Sequence, residues 1–176
     1  MKEWHITVGE LRSVAESLRA GDRVFLSGTV YTARDAAHKR MFEKMDAGEA
    51  LPFPLKDAVI YYSGATPAPP MLPIGSCGPT TSGRMDPYTP WLYDHGLVAT
   101  IGKGQRSEAV VEAMTRSGGV YFCAVGGAGA LAAQHITEAE VIAYEDLGCE
   151  AVKRLTVADF PLIVAIDAVG GNLFQR

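Results

Sequence analysis

Three basic residues stand in the same kind of place along this sequence. Arg34 follows the apolar run "RVFLSGTVYT" and opens the helical pattern "ARDAAHKRM". Arg84 lies in the loop "CGPTTSGRMDP", residues 77–87. Lys103 follows "LVATIG" and precedes another helical pattern. In open α/β sheets, ligands collect beyond the carboxyl ends of the strands. Helix N-termini there offer free N–H groups and a positive dipole end, a setting suited to anions. A cation in a first helical turn opposes that dipole. Arg34 therefore runs against local preference, and such conflicts tend to mark functional sites. Each cation alone also reads as a solvated surface charge. Converging on one pocket, the three suit a small dicarboxylate, because Arg meets a carboxylate in fork geometry. Each charge-assisted bond of that kind is worth roughly 1.5–3 kcal/mol.

The loop adds Thr80, Thr81 and Ser82 beside Arg84. Their hydroxyls suit substrate oxygens or proton transfer, and equally the satisfaction of turn backbone. Gly78 and Gly83 let the backbone approach a ligand closely. A free hydroxyl is a poor base, so a proton-abstracting Thr80 needs an activating group. His38 is one turn after Arg34 and can share its pocket, but it reads more readily as an exposed helix residue. Asp35 reads as a capping residue before a catalytic one. His95 and His135 have no partner identifiable from sequence.

These residues need elements to hold them. Thr7 and Glu10 have capping-box spacing. Leu11, Val14, Ala15 and Leu18 then fall at helical spacing, and Gly21 can end the helix. "RVFLSGTVYT" is an expected strand, with Thr32 as the expected cap of the helix that follows. "DAVIYYSG", "LVATIGKG" and "VYFCAVGG" read as buried strands. "SEAVVEAMTRSGG" reads as a helix capped by Ser107, and "DPYTPWLYDH" as a short helix opened by Asp86 and Pro87. "EVIAYED", "EAVKRLTV" and "LIVAIDAV" read as three further strands. Helices and strands alternate, then strands crowd the C-terminal third. The expectation is α/β, with a largely parallel main sheet plus mixed strands. A Pro- and Gly-rich stretch, 65–90, carries the loop, and a compact domain rarely keeps so long an irregular segment without a use for it.

The 176 residues fit one domain over 1–176. A net charge of −4 argues against a nucleic-acid partner, which usually meets a basic surface. No run is apolar for long enough to span a membrane. "MKEWHITVGE" lacks the apolar core of a signal peptide, so a cytoplasmic location is expected. Cys77, Cys123 and Cys149 are odd in number and widely spaced, which indicates neither a disulfide framework nor a local zinc site. Cys123 reads as a small buried hydrophobe.

"GAGALA", from Gly127, fits the dinucleotide fingerprint, with Asp146 at a plausible distance for a ribose contact. The helix after it is too short for that use. A close backbone approach accounts for these glycines more simply.

"GTVYTARDAAHKRM", "GPTTSGRMD", "IGKGQRS", "GGAGALAAQHI" and "VADFPLIVAIDAVGGNLF" occur in this order. Together they resemble the β subunit, or C-terminal domain, of class I fumarases and the related L-tartrate dehydratases, over nearly the whole chain. The resemblance implies a swivelling β/β/α fold and a hydro-lyase that reversibly hydrates fumarate to S-malate. It implies a 4Fe–4S cluster whose unique iron serves as a Lewis acid. In the family three cysteines of the α subunit hold that cluster, so no metal ligand is expected in this chain. A cysteine-bearing α subunit is the expected partner, and the pocket would lie between the two. By the same resemblance Thr80 takes the position of the proton-transfer threonine and Arg34 that of a catalytic, carboxylate-holding arginine. Arg84 and Lys103 match carboxylate-binding positions, and Thr81 joins them as a substrate contact. Asp35, His38, Gln105 and Arg106 flank these motifs without an assigned role. "GPTTSGRMDPYTPWL" looks more like the two-subunit fumarases than the tartrate dehydratases. A tartrate dehydratase β subunit and a non-enzymatic nucleotide- or anion-binding module remain the alternatives.

Overall fold

The computed structural model describes residues 1–124 and 129–175. The chain opens with a strand that the sequence reading did not anticipate, β1 (Glu3–Thr7). It alternates exposed Glu3, His5 and Thr7 with Trp4 and buried Ile6, and pairs in parallel with β2 (Arg23–Thr32). Thr7 ends the strand and caps α1 (Val8–Val14), accepting a hydrogen bond from Glu10 N at 3.3 Å. Leu11, Ala15 and Leu18 are buried as the helical spacing requires. The last turn tightens to a 3-10 turn at Ala15–Ser17.

The remaining elements follow in order. They are α2 (Asp35–Asp46), β3 (Val59–Tyr61), α3 (Thr89–Asp94), β4 (Ala99–Gly102), α4 (Glu108–Ser117) and β5 (Val120–Ala124). Then come α5 (Gly129–Ala133), β6 (Ile136–Ala143) and β7 (Val152–Ile166). Two more 3-10 turns, Ser82–Met85 and Glu145–Glu150, matter to the site. β1 to β5 lie side by side and parallel. β7 runs antiparallel to β5, β6 and β2. Because β7 joins β5 back to β2, the sheet partly closes on itself. The expected α/β class, a parallel main sheet with mixed additions, is what forms.

β7 corrects one expectation. "EAVKRLTV" and "LIVAIDAV" are a single 15-residue strand, not two. Its register against β2 shifts between Leu26–Phe160 and Gly28–Val157. Asp159 takes φ 47° there, and its N–H donates to Ser27 Oγ at 2.9 Å. That irregularity bends the strand without ending it. Thr32 is also reassigned. It does not cap α2, because as the last residue of β2 its hydroxyl serves β7, accepting from Lys153 N at 3.1 Å and facing Ala151 O at 3.4 Å. α3 starts later than expected, at Thr89, and Asp86 is used elsewhere. Ser107 caps α4 as read, accepting from Val110 N at 3.4 Å.

Strand alternation sorts the core into two clusters. One face of the sheet gathers Val24, Leu26, Tyr61, Phe122, Leu155 and Phe160 with Leu11 and Leu18 of the α1 region. The other gathers Ile60, Tyr62 and Tyr121 with Met41, Leu92, Tyr93, Val110 and Met114 from α2, α3 and α4. Each large apolar side chain fully buried in this way contributes about 1.5–3 kcal/mol. The result is a rigid edge, at the carboxyl ends of β2, β3 and β4, from which the candidate residues project. No helix among the described residues is long and apolar enough to cross a membrane.

Candidate active site

β2 delivers Arg34 two residues past its end. Arg34 occupies the N-cap of α2 in an extended conformation, φ −120° and ψ −154°, with no side-chain cap of its own. Its guanidinium is partly exposed, and Nε lies 3.6 Å from Glu150 Oε1 and 3.8 Å from Asp35 Oδ2. Nε is buried and makes no hydrogen bond within the described residues. Gly64, just beyond β3, closes the other side. A Cβ there would sit 2.9 Å from Arg34 Cδ and 3.0 Å from Cys149 O.

The loop 79–85 docks on the ends of β3 and β4. Thr80 N donates to Tyr62 O at 2.7 Å, Lys103 N to Thr80 O at 3.3 Å, and Ser82 N to Lys103 O at 2.9 Å. Thr81 and Lys103 form a parallel bridge. The loop thus prolongs the parallel pairing and sets Thr80 and Thr81 beside Lys103. Gly102 makes this possible, since a Cβ there would lie 2.0 Å from Ser82 Oγ. Tyr121 Oη pins the same point, 2.8 Å from Ser82 Oγ and 2.7 Å from Gly104 O. The 3-10 turn Ser82–Met85 then swings Arg84 to α2, where Nη2 donates to Asp35 Oδ2 at 2.8 Å. Arg34, Asp35 and Arg84 are thereby brought together. Asp35 makes no capping bond among the described residues; its carboxylate turns to the arginines instead.

His38 is not the exposed helix residue expected. It is fully buried, and burial pushes its imidazole down to about 4. Nδ1 lies 2.9 Å from the Arg34 carbonyl, which can only accept, so Nδ1 carries the proton. The ring stacks near Tyr88 and meets Tyr62 edge-on. A neutral His38 so placed holds the Arg34 backbone.

Arg106 is buried too. Its side chain is 0% exposed. Four hydrogen bonds engage it: Nε to Asp86 Oδ1 at 2.8 Å, Nη1 to Thr100 Oγ1 at 3.0 Å, and Nη2 to Tyr62 Oη and Thr89 Oγ1, both at 3.0 Å. It also lies over the Tyr62 and Tyr121 rings. Arg106 locks β3, β4 and the α3 region beneath the loop. Gln105 is exposed beside it. His95 is also exposed, and it stacks on Trp91.

Two residues outside the sequence reading hold this edge. Ser63 Oγ donates to Gly78 O at 2.9 Å and fastens the front of the loop. Glu150 comes from 114 residues downstream to accept from Ala36 N at 3.2 Å. Neither carries a local sequence signal. A cleft of about 390 Å³ lies elsewhere, lined by Ala65, Pro67, Ile74, Val141 and Cys149 among others, and shares none of the expected site residues.

The cysteines do not suit a cluster. Cys77 is buried, its Sγ 3.1 Å from Ser63 Oγ, and burial pushes its thiol up. Burial likewise pushes up the Cys123 thiol, although that residue is half-buried where full burial was expected. Among the described residues no group of three or more His, Cys, Asp or Glu could hold a metal ion.

Residues 2–176 match the family described as Fumarase C-terminus. The chain belongs to that family. It is 43% identical over 156 residues to "Fumarate hydratase class I, anaerobic" of Escherichia coli, an alignment covering 88% of this chain and 28% of that protein. It is 39% identical over 171 residues to "Fumarate hydratase 2" of Leishmania major, covering 96% of this chain and 30% of that one. The chain thus spans about three tenths of the length of these relatives. A third relative, named "Putative L(+)-tartrate dehydratase subunit beta", from Methanocaldococcus jannaschii, is 36% identical over 171 residues, with 92% of this chain and 86% of that protein covered. The fumarase family match reaches through Gly127, which lies outside the described residues. Of the other fingerprint positions, Gly129 packs on the loop, where a Cβ would lie 2.9 Å from Gly78 N, and Cys77 N donates to its carbonyl at 3.0 Å. Asp146 has both carboxylate oxygens on Arg40, at 3.0 and 2.9 Å. The nucleotide reading therefore loses its acidic residue and its second glycine to structural tasks.

Proposed function

We propose that this chain is the β component of a hydro-lyase of the fumarate hydratase type, reversibly adding water to fumarate to give S-malate. What supports the reading is that Arg34 and Arg84 share the Asp35 carboxylate while the loop's backbone pairing sets Thr80 and Thr81 beside Lys103, at the ends of β2, β3 and β4. Arg34 offers its Nη groups, and Arg84 its uncommitted donors, to one carboxylate in fork geometry. Lys103 and Thr81 take the other carboxylate. Thr80 gives a proton to C3 in hydration and takes it back in dehydration, in relay with a second titratable group, since a lone hydroxyl is a poor base. A cytoplasmic α partner carries the 4Fe–4S cluster and completes the pocket. This chain's own part is to bind, orient and move the proton.

Tartrate is the second reading. It draws on one observation: a relative whose length this chain nearly fills carries the name "Putative L(+)-tartrate dehydratase subunit beta". The test is to assemble the chain with its partner under anaerobic conditions and assay both substrates. Fumarate hydration supports the first reading. Tartrate turnover without fumarate turnover moves the assignment to the second, and activity with neither overturns both.

A further inference from the structure

Helix α2 begins with a residue that cannot cap it. Arg34 occupies the N-cap, where Ser, Thr, Asp or Asn would ordinarily accept from the free N–H groups of the first turn. The acceptor comes instead from the 3-10 turn Glu145–Glu150. Glu150 Oε1 accepts from Ala36 N at 3.2 Å, and the same oxygen lies 3.6 Å from Arg34 Nε. Two residues earlier in helix numbering from Ala36, and one carboxylate away, is the arginine of the site. The turn is fixed to the helix a second time, because Asp146 accepts from Nη1 and Nη2 of Arg40, at 3.0 and 2.9 Å.

We infer that Glu150 is a positioning residue for Arg34, acting as an external cap that frees the N-cap position for a substrate-binding arginine. This rests on the reading of Arg34 as a carboxylate-binding residue. The cap fixes the first turn of α2, hence the Arg34 backbone, and the shared oxygen stands as an ion-pair partner 3.6 Å from Nε. Glu150 also places a negative charge near the site, which by itself opposes an incoming carboxylate. The effect of position must therefore be separated from the effect of charge. Glu150→Ala and Glu150→Gln both remove the charge, but only Gln keeps an oxygen for Ala36 N.

The test compares these two variants in the complex assembled with its partner. It measures KM and kcat with fumarate, and the Kd of succinate, an unreactive dicarboxylate, by calorimetry. The expected result is that KM and Kd are about fivefold higher in E150A than in E150Q, the equivalent of a lost cap. Turnover should differ by less than about twofold, as for lost uniform binding. Amide exchange at Ala36 should accelerate in E150A alone. Equal KM and Kd in the two variants overturn the inference. If the complex binds succinate but turns over neither fumarate nor tartrate, the proposed activity fails while the succinate comparison still decides Glu150. If wild type binds no dicarboxylate, the role of Arg34 falls and that of Glu150 with it.

Discussion

Arg84 donates through Nη2 to Asp35 Oδ2 at 2.8 Å, and Arg34 Nε stands 3.8 Å from that same oxygen. One carboxylate of α2 thus gathers two cations that are 50 residues apart in sequence. Only one of Arg84's donors is committed there, which leaves the guanidinium able to accept a second carboxylate. The side chain is half exposed, so the ion pair itself adds little stability.

Arg84→Ala should therefore act on binding. Loss of a charge-assisted pair should raise KM for the dicarboxylate about tenfold or more. Turnover should fall less, and the melting temperature should hardly move. Arg84→Lys should restore little, because a point charge cannot reproduce the fork. Steady-state kinetics on the assembled complex read this directly, and a normal KM in R84A would remove Arg84 from the site.

Thr80 should show the opposite pattern. Its backbone is fixed on both sides, by Tyr62 O at 2.7 Å and Lys103 N at 3.3 Å, so losing the hydroxyl leaves the loop in place. If the hydroxyl handles the C3 proton, Thr80→Ala should lower kcat by about a hundredfold or more with little change in KM. Thr80→Ser should keep much of the activity. Unchanged turnover in T80A would assign the proton to another group.

His38 ties the site to pH through folding. Its imidazole is buried and held neutral, with a folded-state value near 4 against 6.5 in the unfolded chain. Protons bind the unfolded state first, so this group costs nothing above pH 6.5 and removes stability as pH falls towards 4. By pH 5 the loss is about 2 kcal/mol. Urea unfolding at pH 7 and pH 5 should show that difference in wild type and a smaller one in His38→Gln. Equal slopes in the two proteins would mean that His38 is not buried neutral.

Much of this was legible before the fold was known. The N-cap of α1, the cap of α4 and the alternation of β2, α2, β3, β4 and β5 follow from local spacing, because capping and period are local physics. Arg34 announced itself as a cation where the helix dipole disfavours one. Glu150 could not be read, since its acceptor role for Ala36 N spans 114 residues. His38 was misjudged as exposed, and Arg106 was left without a role, for one reason. Their burial depends on Tyr62, Tyr88 and Tyr121 arriving from other elements, which no window around either residue contains. β7 read as two strands because Asp159 and Pro161 interrupt its apolar run, whereas pairing with β2 carries it through the bend.

Arg106 makes the last prediction. It follows the "GKG" motif directly and has the residue type of a substrate ligand, yet its four hydrogen bonds all go inward. Asp86, its ion-pair partner, is also mostly buried and accepts from Ser107 N at 2.7 Å, so the pair joins the loop's end to the start of α4. Breaking a buried pair by removing one partner leaves an uncompensated charge, at a cost of about 3–5 kcal/mol. Arg106→Met should therefore destabilise the chain by that amount in urea unfolding. Asp86→Asn added to it should recover part of the loss, since it removes the stranded carboxylate and keeps an acceptor for Ser107 N. A ligand-binding role predicts the reverse, a stable R106M protein with a raised KM, so stability and kinetics on the same variant separate the two.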